Sequence, residues 1–94
     1  MQKDIKGTIL NLEGQEFYLR YTLNSMRMLE KTYGIKIDKL SEEMDLSMVQ
    51  ALLHVGMRKH HPELSFEEVG DLVDMSTINE TVEKISEALG GLKK

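Results

Sequence analysis

Apolar residues recur at helical spacing through the second half of the chain, and residues 47–75 carry the clearest pattern. Seven positions at steps of three and four share one helix face: Met48, Val49, Leu52, Leu53, Gly56, Met57 and His60. Pro62 cannot continue this helix and biases the preceding residue away from helical geometry. Ser65 and Glu68 then form a capping-box pattern that starts a second helix. Its apolar stripe is Phe66, Val69, Leu72 and Val73. The pattern therefore predicts two helices around Pro62, with Ser47 as the N-cap of the first.

Alternating apolar and polar residues near the N-terminus predict two strands, over residues 4–12 and 16–21. In the first, Leu10 and Leu12 lie on one face, and the other face carries Ile5, Gly7 and Ile9. In the second, Phe17, Leu19 and Tyr21 oppose Tyr18 and Arg20. The turn is predicted at residues 13–15, which include Gly14. Because an isolated hairpin is marginal in water, its apolar face is expected to pack on helices or on another chain.

Two further helices are predicted on either side of the central pair. Thr22 is the expected N-cap of a helix over residues 23–33, and Gly34 is expected to end it in the left-handed conformation. Its buried side is predicted to be Leu23, Met26, Leu29 and Tyr33. The last helix is expected to begin at Ser76 or Thr77 and to end at Gly90-Gly91, with its apolar positions at Ile78, Val82, Ile85 and Leu89. Between these helices, we expect Ile35 and Ile37 to enter the core, a short turn over 39–43 with Leu40 pointing inward, and a connector over 42–46.

These elements predict a single α+β domain over residues 1–94, mainly α-helical. A β-hairpin over 4–21 precedes a helical part over 22–90 with about four short helices, and 91–94 form a tail. The length allows one modest core.

Composition narrows the classes of function. The net charge of −4 argues against a protein that tracks nucleic-acid phosphates, because such proteins rely on clustered Lys and Arg. The chain has no cysteine, no apolar run near the roughly 20 residues needed to cross a bilayer, and no apolar signal region behind its N-terminal residues. We therefore expect a soluble cytoplasmic protein that binds neither nucleic acid nor membrane.

Candidate chemistry is sparse. His54, His60 and His61 lack the spacing and the additional ligands of a zinc site, so His60 and His61 are interpreted as finishing a helix, where the dipole favours partial positive charge. The carboxylates lie opposite the apolar stripes and are expected to be solvated. They are Glu42, Glu43, Asp45, Glu67, Glu68, Asp71 and Asp74. We expect no catalytic residue, no metal and no cofactor, and hence no enzymatic activity.

Seven methionines in 94 residues are more than one helix face can bury. Methionine side chains are flexible and suit surfaces that accept partners. Gly56 and Gly70 lie inside helical patterns, where each costs about 1 kcal/mol relative to alanine, so each is interpreted as allowing another helix to approach closely. Both features indicate interaction rather than catalysis.

The order of these signals resembles a known family. An aliphatic-aromatic segment, 17–21, is followed by a helix containing 28–31 and a Gly34-Ile35 turn. Two further segments, 49–58 and 61–69, pair a "leucine-leucine, x, x-glycine, hydrophobic-arginine" helix with a "proline, x, leucine-serine/threonine, x-glutamate-glutamate-valine" helix. Over roughly residues 16–90, the chain resembles the tail assembly chaperones of long-tailed phages and prophages and their relatives in gene transfer agents.

The resemblance implies a protein that holds the tape measure protein, helps to recruit tail tube subunits and leaves before the virion is complete. We expect a homo-oligomer, with Met48, Leu52, Gly56 and Met57 near an interface with another subunit or with a client helix. Two alternatives remain: a small DNA-binding regulator, because 47–75 has a helix-turn-helix outline, and a tail-completion or head–tail connector protein that stays in the virion.

Overall fold

A computed structural model describes residues 7–36, 38 and 44–90. In chain order the elements are β1 (Thr8–Leu12), β2 (Gln15–Leu19), α1 (Leu23–Tyr33), α2 (Leu46–Met57), α3 (Phe66–Asp71) and α4 (Ile78–Ala88). The predicted α+β class, with a hairpin followed by helices, is confirmed. The predictions for Ile5, Ile37, the turn over 39–43 and the tail over 91–94 fall outside the described residues.

The hairpin is antiparallel, with Leu10 opposite Phe17. Its two-residue turn has positive φ at both Glu13 (51°) and Gly14 (75°), the combination that matches the twist of the strands. One face enters the core as predicted, because Leu10, Leu12, Phe17 and Leu19 are buried. Ile9 lies on the other face and is exposed. The second strand ends at Leu19, two residues earlier than predicted.

Helix α1 begins and ends where the sequence predicts. Thr22 and Ser25 form a capping box, and Gly34 ends the helix with φ of 68°. The predicted buried side is wrong at Leu23, which is 77% exposed, whereas Ser25 and Leu29 are buried. Ser25 is two residues after Leu23, or about 200° around the helix, so the Leu23 side chain lies nearly opposite the buried Ser25.

Helix α2 is the centre of the molecule and contacts α1, α3, α4 and β2. Seven of its residues are buried: Val49, Ala51, Leu52, Leu53, Val55, Gly56 and Met57. The prediction that Ser47 caps this helix is wrong. The N-cap is Asp45, whose carboxylate accepts a hydrogen bond from the Met48 amide at 2.8 Å. The helix therefore begins at Leu46, inside the stretch that was predicted to be a connector.

Helices α3 and α4 both pack on α2 and are joined by a short hydrogen-bonded turn. The Ser65–Glu68 capping box is confirmed, and it starts a helix of only six residues. Between the helices, the Asp74 carboxylate accepts hydrogen bonds from the amide and the hydroxyl of Ser76, at 2.9 and 2.6 Å. Thr77 is the N-cap of α4, without a side-chain capping bond, and Gly90 follows the helix with φ of 87°.

Helix α4 packs on both β1 and α2. Ile85 is its buried apolar residue, while Ile78, Val82 and Leu89 are half-buried against the core. Among the described residues, no helix is long and apolar enough to cross a membrane.

Candidate functional site

An open apolar groove lies where the start of α2 meets α3 and the start of α4. We call it the α2–α4 groove. Its lining is Leu46, Val49, Gln50, Leu53, Gly70, Val73, Met75 and Ile78, around a volume of about 160 Å³. Leu46 and Met75 stand at its edge and are 63% and 68% exposed. Two such apolar side chains beside one groove mark a candidate site for an apolar partner.

Local hydrogen bonds place these two edge residues. The Asp45 cap makes Leu46 the first residue of α2. Helical side chains point toward the N-terminus of their helix, so the Leu46 side chain has no earlier turn of α2 to pack on. Met75 lies in the turn that Asp74 and Ser76 close between α3 and α4. These hydrogen bonds fix the local backbone, and both side chains are exposed because no other described segment packs over them.

The floor of the groove depends on Gly70. A Cβ atom at this position would collide with the side-chain amide of Gln50. That amide donates a hydrogen bond to the carbonyl oxygen of Phe66 at 3.0 Å and so links α2 to α3. The sequence-based interpretation of Gly70 as a point of close helix approach agrees with this contact.

The surroundings of the groove are acidic. Asp45, Asp71 and Asp74 are exposed, and each is adjacent in sequence to a residue that lines the groove. Residues 63–83, which include all of α3, contain seven acidic residues and no Lys, Arg or His. Hydrogen bonds from Ser76 lower the pKa of the Asp74 carboxyl below its ordinary value, which favours its charged form.

A second, basic depression lies between α1 and the end of α2. It is lined by Asn24, Arg27, Met28, Lys31, Thr32 and Arg58. Arg27, Lys31 and Arg58 are exposed. The groove uses the first two turns of α2, whereas this depression includes a residue just beyond the end of α2, so the acidic and basic surfaces lie toward opposite ends of that helix.

The four residues predicted to bind a partner occupy different environments. Leu52, Gly56 and Met57 are buried inside the chain, and Met48 is half-buried against the core. Gly56 faces the ring of Tyr21, not another helix. In this conformation, only Met48 of the four has surface that a partner could reach. Their role in partner binding stays a prediction.

The sequence contains more methionines than one helix face can bury, and most of the remaining ones pack against the core. Met26, Met28 and Met44 are half-buried and pack against the core. Met75 is exposed. Leu46 was not identified from the sequence, although a carboxylate immediately before it and three residues before Met48 is a recognisable capping signal.

The histidines form aromatic contacts. The Tyr33 hydroxyl lies 2.7 Å from Nδ1 of His54, and both rings contact Phe66. Nε2 of His61 accepts a hydrogen bond from the Tyr18 amide at 3.1 Å. Partial burial is the main cause that lowers the pKa of both His54 and His61. Within the described ranges, no three His, Cys, Asp or Glu side chains are placed to hold a metal ion.

Comparison with protein-family models, with curated proteins and with solved structures finds no match to this chain. A proposal about its function therefore rests on its own residues and surfaces.

Proposed function

We propose that this protein is a tail assembly chaperone of a long-tailed phage or prophage, acting in the bacterial cytoplasm. Its client would be the tape measure protein, and the tail tube protein would assemble while the client is held. The observation that supports this proposal most directly is the α2–α4 groove, with Leu46 and Met75 exposed at its edge. The family resemblance of residues 16–90 supports it independently.

A chaperone that holds a long helical client needs apolar surface that is accessible without unfolding. Grooves of this kind accept the apolar face of an amphipathic helix. The groove volume of about 160 Å³ is close to that of an engineered apolar cavity, about 150 Å³, that binds benzene. It therefore has room for one large apolar side chain. Weak sites of this size, repeated along a client by several subunits, would hold it by avidity and still release it.

The charge of the helical part favours this function over DNA binding. Helix α3 would be the recognition helix of a helix-turn-helix protein, yet Glu67 and Glu68 occupy its first turn. These carboxylates would repel phosphates, whereas DNA-binding proteins gain affinity by neutralising them.

The test is co-expression of this chain with the tape measure and tail tube proteins encoded beside its gene. Capture on the tape measure protein, followed by light scattering after size-exclusion chromatography, is expected to give a defined complex and its stoichiometry. The double variant Leu46→Ser/Met75→Ser should lose most of the capture. Because both side chains are exposed, its thermal unfolding should stay close to that of the wild type.

A matched control is Ile9→Ser/Leu23→Ser, which removes two exposed apolar side chains away from the groove. This variant should be captured like the wild type. Failure of the wild type to bind the tape measure protein would overturn the proposal, and equal capture of the groove variant and the control would show that the groove is not the client site. Retention of the protein in purified virions would instead support the connector alternative.

A further inference from the structure

We infer that the α2–α4 groove selects a cationic amphipathic helix, with one large apolar side chain in the groove and Lys or Arg about one turn to either side. This inference rests on the proposed function, in which the groove is the client site. It adds the chemistry of the client segment, which neither the resemblance nor the fold specifies.

The apolar requirement comes from the lining. Aliphatic side chains line the groove at Val49, Leu53, Val73 and Ile78. The exposed side chains of Leu46 and Met75 extend this apolar surface at the edge of the groove. A helix that inserts a leucine, methionine or phenylalanine would bury both edge residues. Their burial supplies the favourable free energy, because it removes apolar surface from water.

The cationic requirement comes from the three exposed carboxylates beside the groove, which we call its acidic rim. Asp45, Asp71 and Asp74 are exposed next to lining residues, and the segment 63–83, which carries Asp71 and Asp74, contains no Lys, Arg or His. On a docked helix, residues three or four positions from the anchor lie about one turn away on the same face. Lys or Arg at those positions would reach the acidic rim, whereas Glu or Asp there would be repelled.

A second copy of this chain is the alternative occupant of the groove and must be distinguished from a separate basic partner. Its α1 carries the exposed Leu23, with Arg27 one turn later and Lys31 two turns later. However, Leu23 is the first residue of α1, so no helical turn with a cation precedes it. Each copy also carries a net charge of −4, so two copies repel at long range whereas a basic helix is attracted. These two facts favour a separate basic partner.

The probes are two fluorescein-labelled helical peptides of about 15 residues, near the shortest length at which an isolated helix persists in water. Both carry the same leucine anchor in an alanine-rich helix, and they differ in having Lys or Glu three and four positions to either side. Fluorescence anisotropy with the full chain measures each dissociation constant at low and at high salt. The Lys peptide is expected to bind at least about tenfold more tightly, and salt should reduce the difference.

Asp71→Lys tests the rim without disturbing the fold, because a cation is favourable at the C-terminal end of α3. It should weaken binding of the Lys peptide about fivefold and strengthen binding of the Glu peptide. Glu30→Lys is the matched control, since it makes the same change in net charge at an exposed position of α1. It should change either affinity less than about twofold, because Glu30 does not line the groove and solvent and salt screen an exposed charge. Leu46→Ser/Met75→Ser should abolish binding of both peptides.

Equal binding of the two peptides, tighter binding of the Glu peptide, or no binding of either would overturn the inference. So would equal effects of Asp71→Lys and Glu30→Lys. Light scattering that shows self-association abolished by Leu23→Ser would assign the groove to a second copy instead. If the tape measure protein is captured but the peptides are not discriminated, only this inference fails. If the Lys peptide binds as expected but the tape measure protein does not, the proposed function fails.

Discussion

The ring of Tyr21 lies directly against Gly56, and its hydroxyl donates a hydrogen bond of 2.7 Å to the carbonyl oxygen of Leu52. A Cβ atom at position 56 would be 2.6 Å from Cζ of the ring. Enclosure raises the pKa of the Tyr21 phenol above its ordinary value, so it stays a hydrogen-bond donor. The contact joins the end of the hairpin to the central helix, and the Arg20 amide adds a hydrogen bond to the Gly56 carbonyl at 2.8 Å.

Gly56→Ala should therefore destabilise the protein even though alanine is the better helix former. Displacement of the Tyr21 ring is expected to cost about 1–3 kcal/mol, which outweighs the gain in helix propensity of about 1 kcal/mol. Urea unfolding measures the difference. Gly70→Ala is the control, because there the added methyl group meets the end of the Gln50 side chain, whose exposed hydrogen bond to Phe66 is worth about as much as the gain in helix propensity. It should change stability much less. An unchanged free energy of unfolding for Gly56→Ala would contradict this prediction, because it would show that the Tyr21 ring moves aside without cost.

The start of α2 gives a second prediction, because the sequence and the structure name different caps. Asp45→Ala should reduce the free energy of unfolding by about 1 kcal/mol, since the Met48 amide loses its acceptor. Ser47→Ala should have little effect, because Ser47 lies inside the helix and alanine favours helix. Denaturant unfolding of both variants decides between the two positions. A larger loss for Ser47→Ala would restore the sequence-based assignment.

The two methionines at opposite extremes of exposure give a third prediction. Met57 has no exposed surface, so Met57→Ala should cost about 2–5 kcal/mol and Met57→Glu should prevent stable folding. Met75 is 68% exposed, so Met75→Glu should leave the thermal midpoint nearly unchanged. Circular dichroism melting compares them. A folded Met57→Glu protein would mean that Met57 can reach the surface, as expected of an interface residue.

Acid should destabilise the protein through His54 and His61. The pKa of each is lower in the folded chain than the ordinary value of 6.5. As the pH falls below about 6.5, the unfolded chain takes up protons more readily, so the free energy of unfolding decreases until the folded imidazoles also protonate. Above that pH the contribution is fully present. Urea unfolding between about pH 7.5 and about pH 5.5 measures the slope.

The double variant His54→Gln/His61→Gln is the control for this slope. Removal of both imidazoles should make stability less dependent on pH in the same range, whatever its absolute value. A slope equal to that of the wild type would assign the acid sensitivity to other groups.

Structural features that depend only on residues close together in the sequence could be predicted from the sequence. Thr22, Ser65 and Gly34 act as caps where they were expected, because each completes hydrogen bonds with the neighbouring turn. The alternation that buries Leu10 and Leu12 follows from the two-residue period of a strand. These local patterns also determined the order of the elements and the α+β class.

The tertiary structure decided which apolar residues remain at the surface. Leu23 and Met57 both lie in helices with apolar periodicity, yet one is exposed and the other is buried. The α2–α4 groove brings together residues from 46 to 78, and the Tyr21–Gly56 contact spans 35 positions. Periodicity identifies a face of a helix, but not which neighbour covers it or how far that neighbour extends. That depends on packing between segments distant in sequence, and it is why the candidate site appears only in the folded chain.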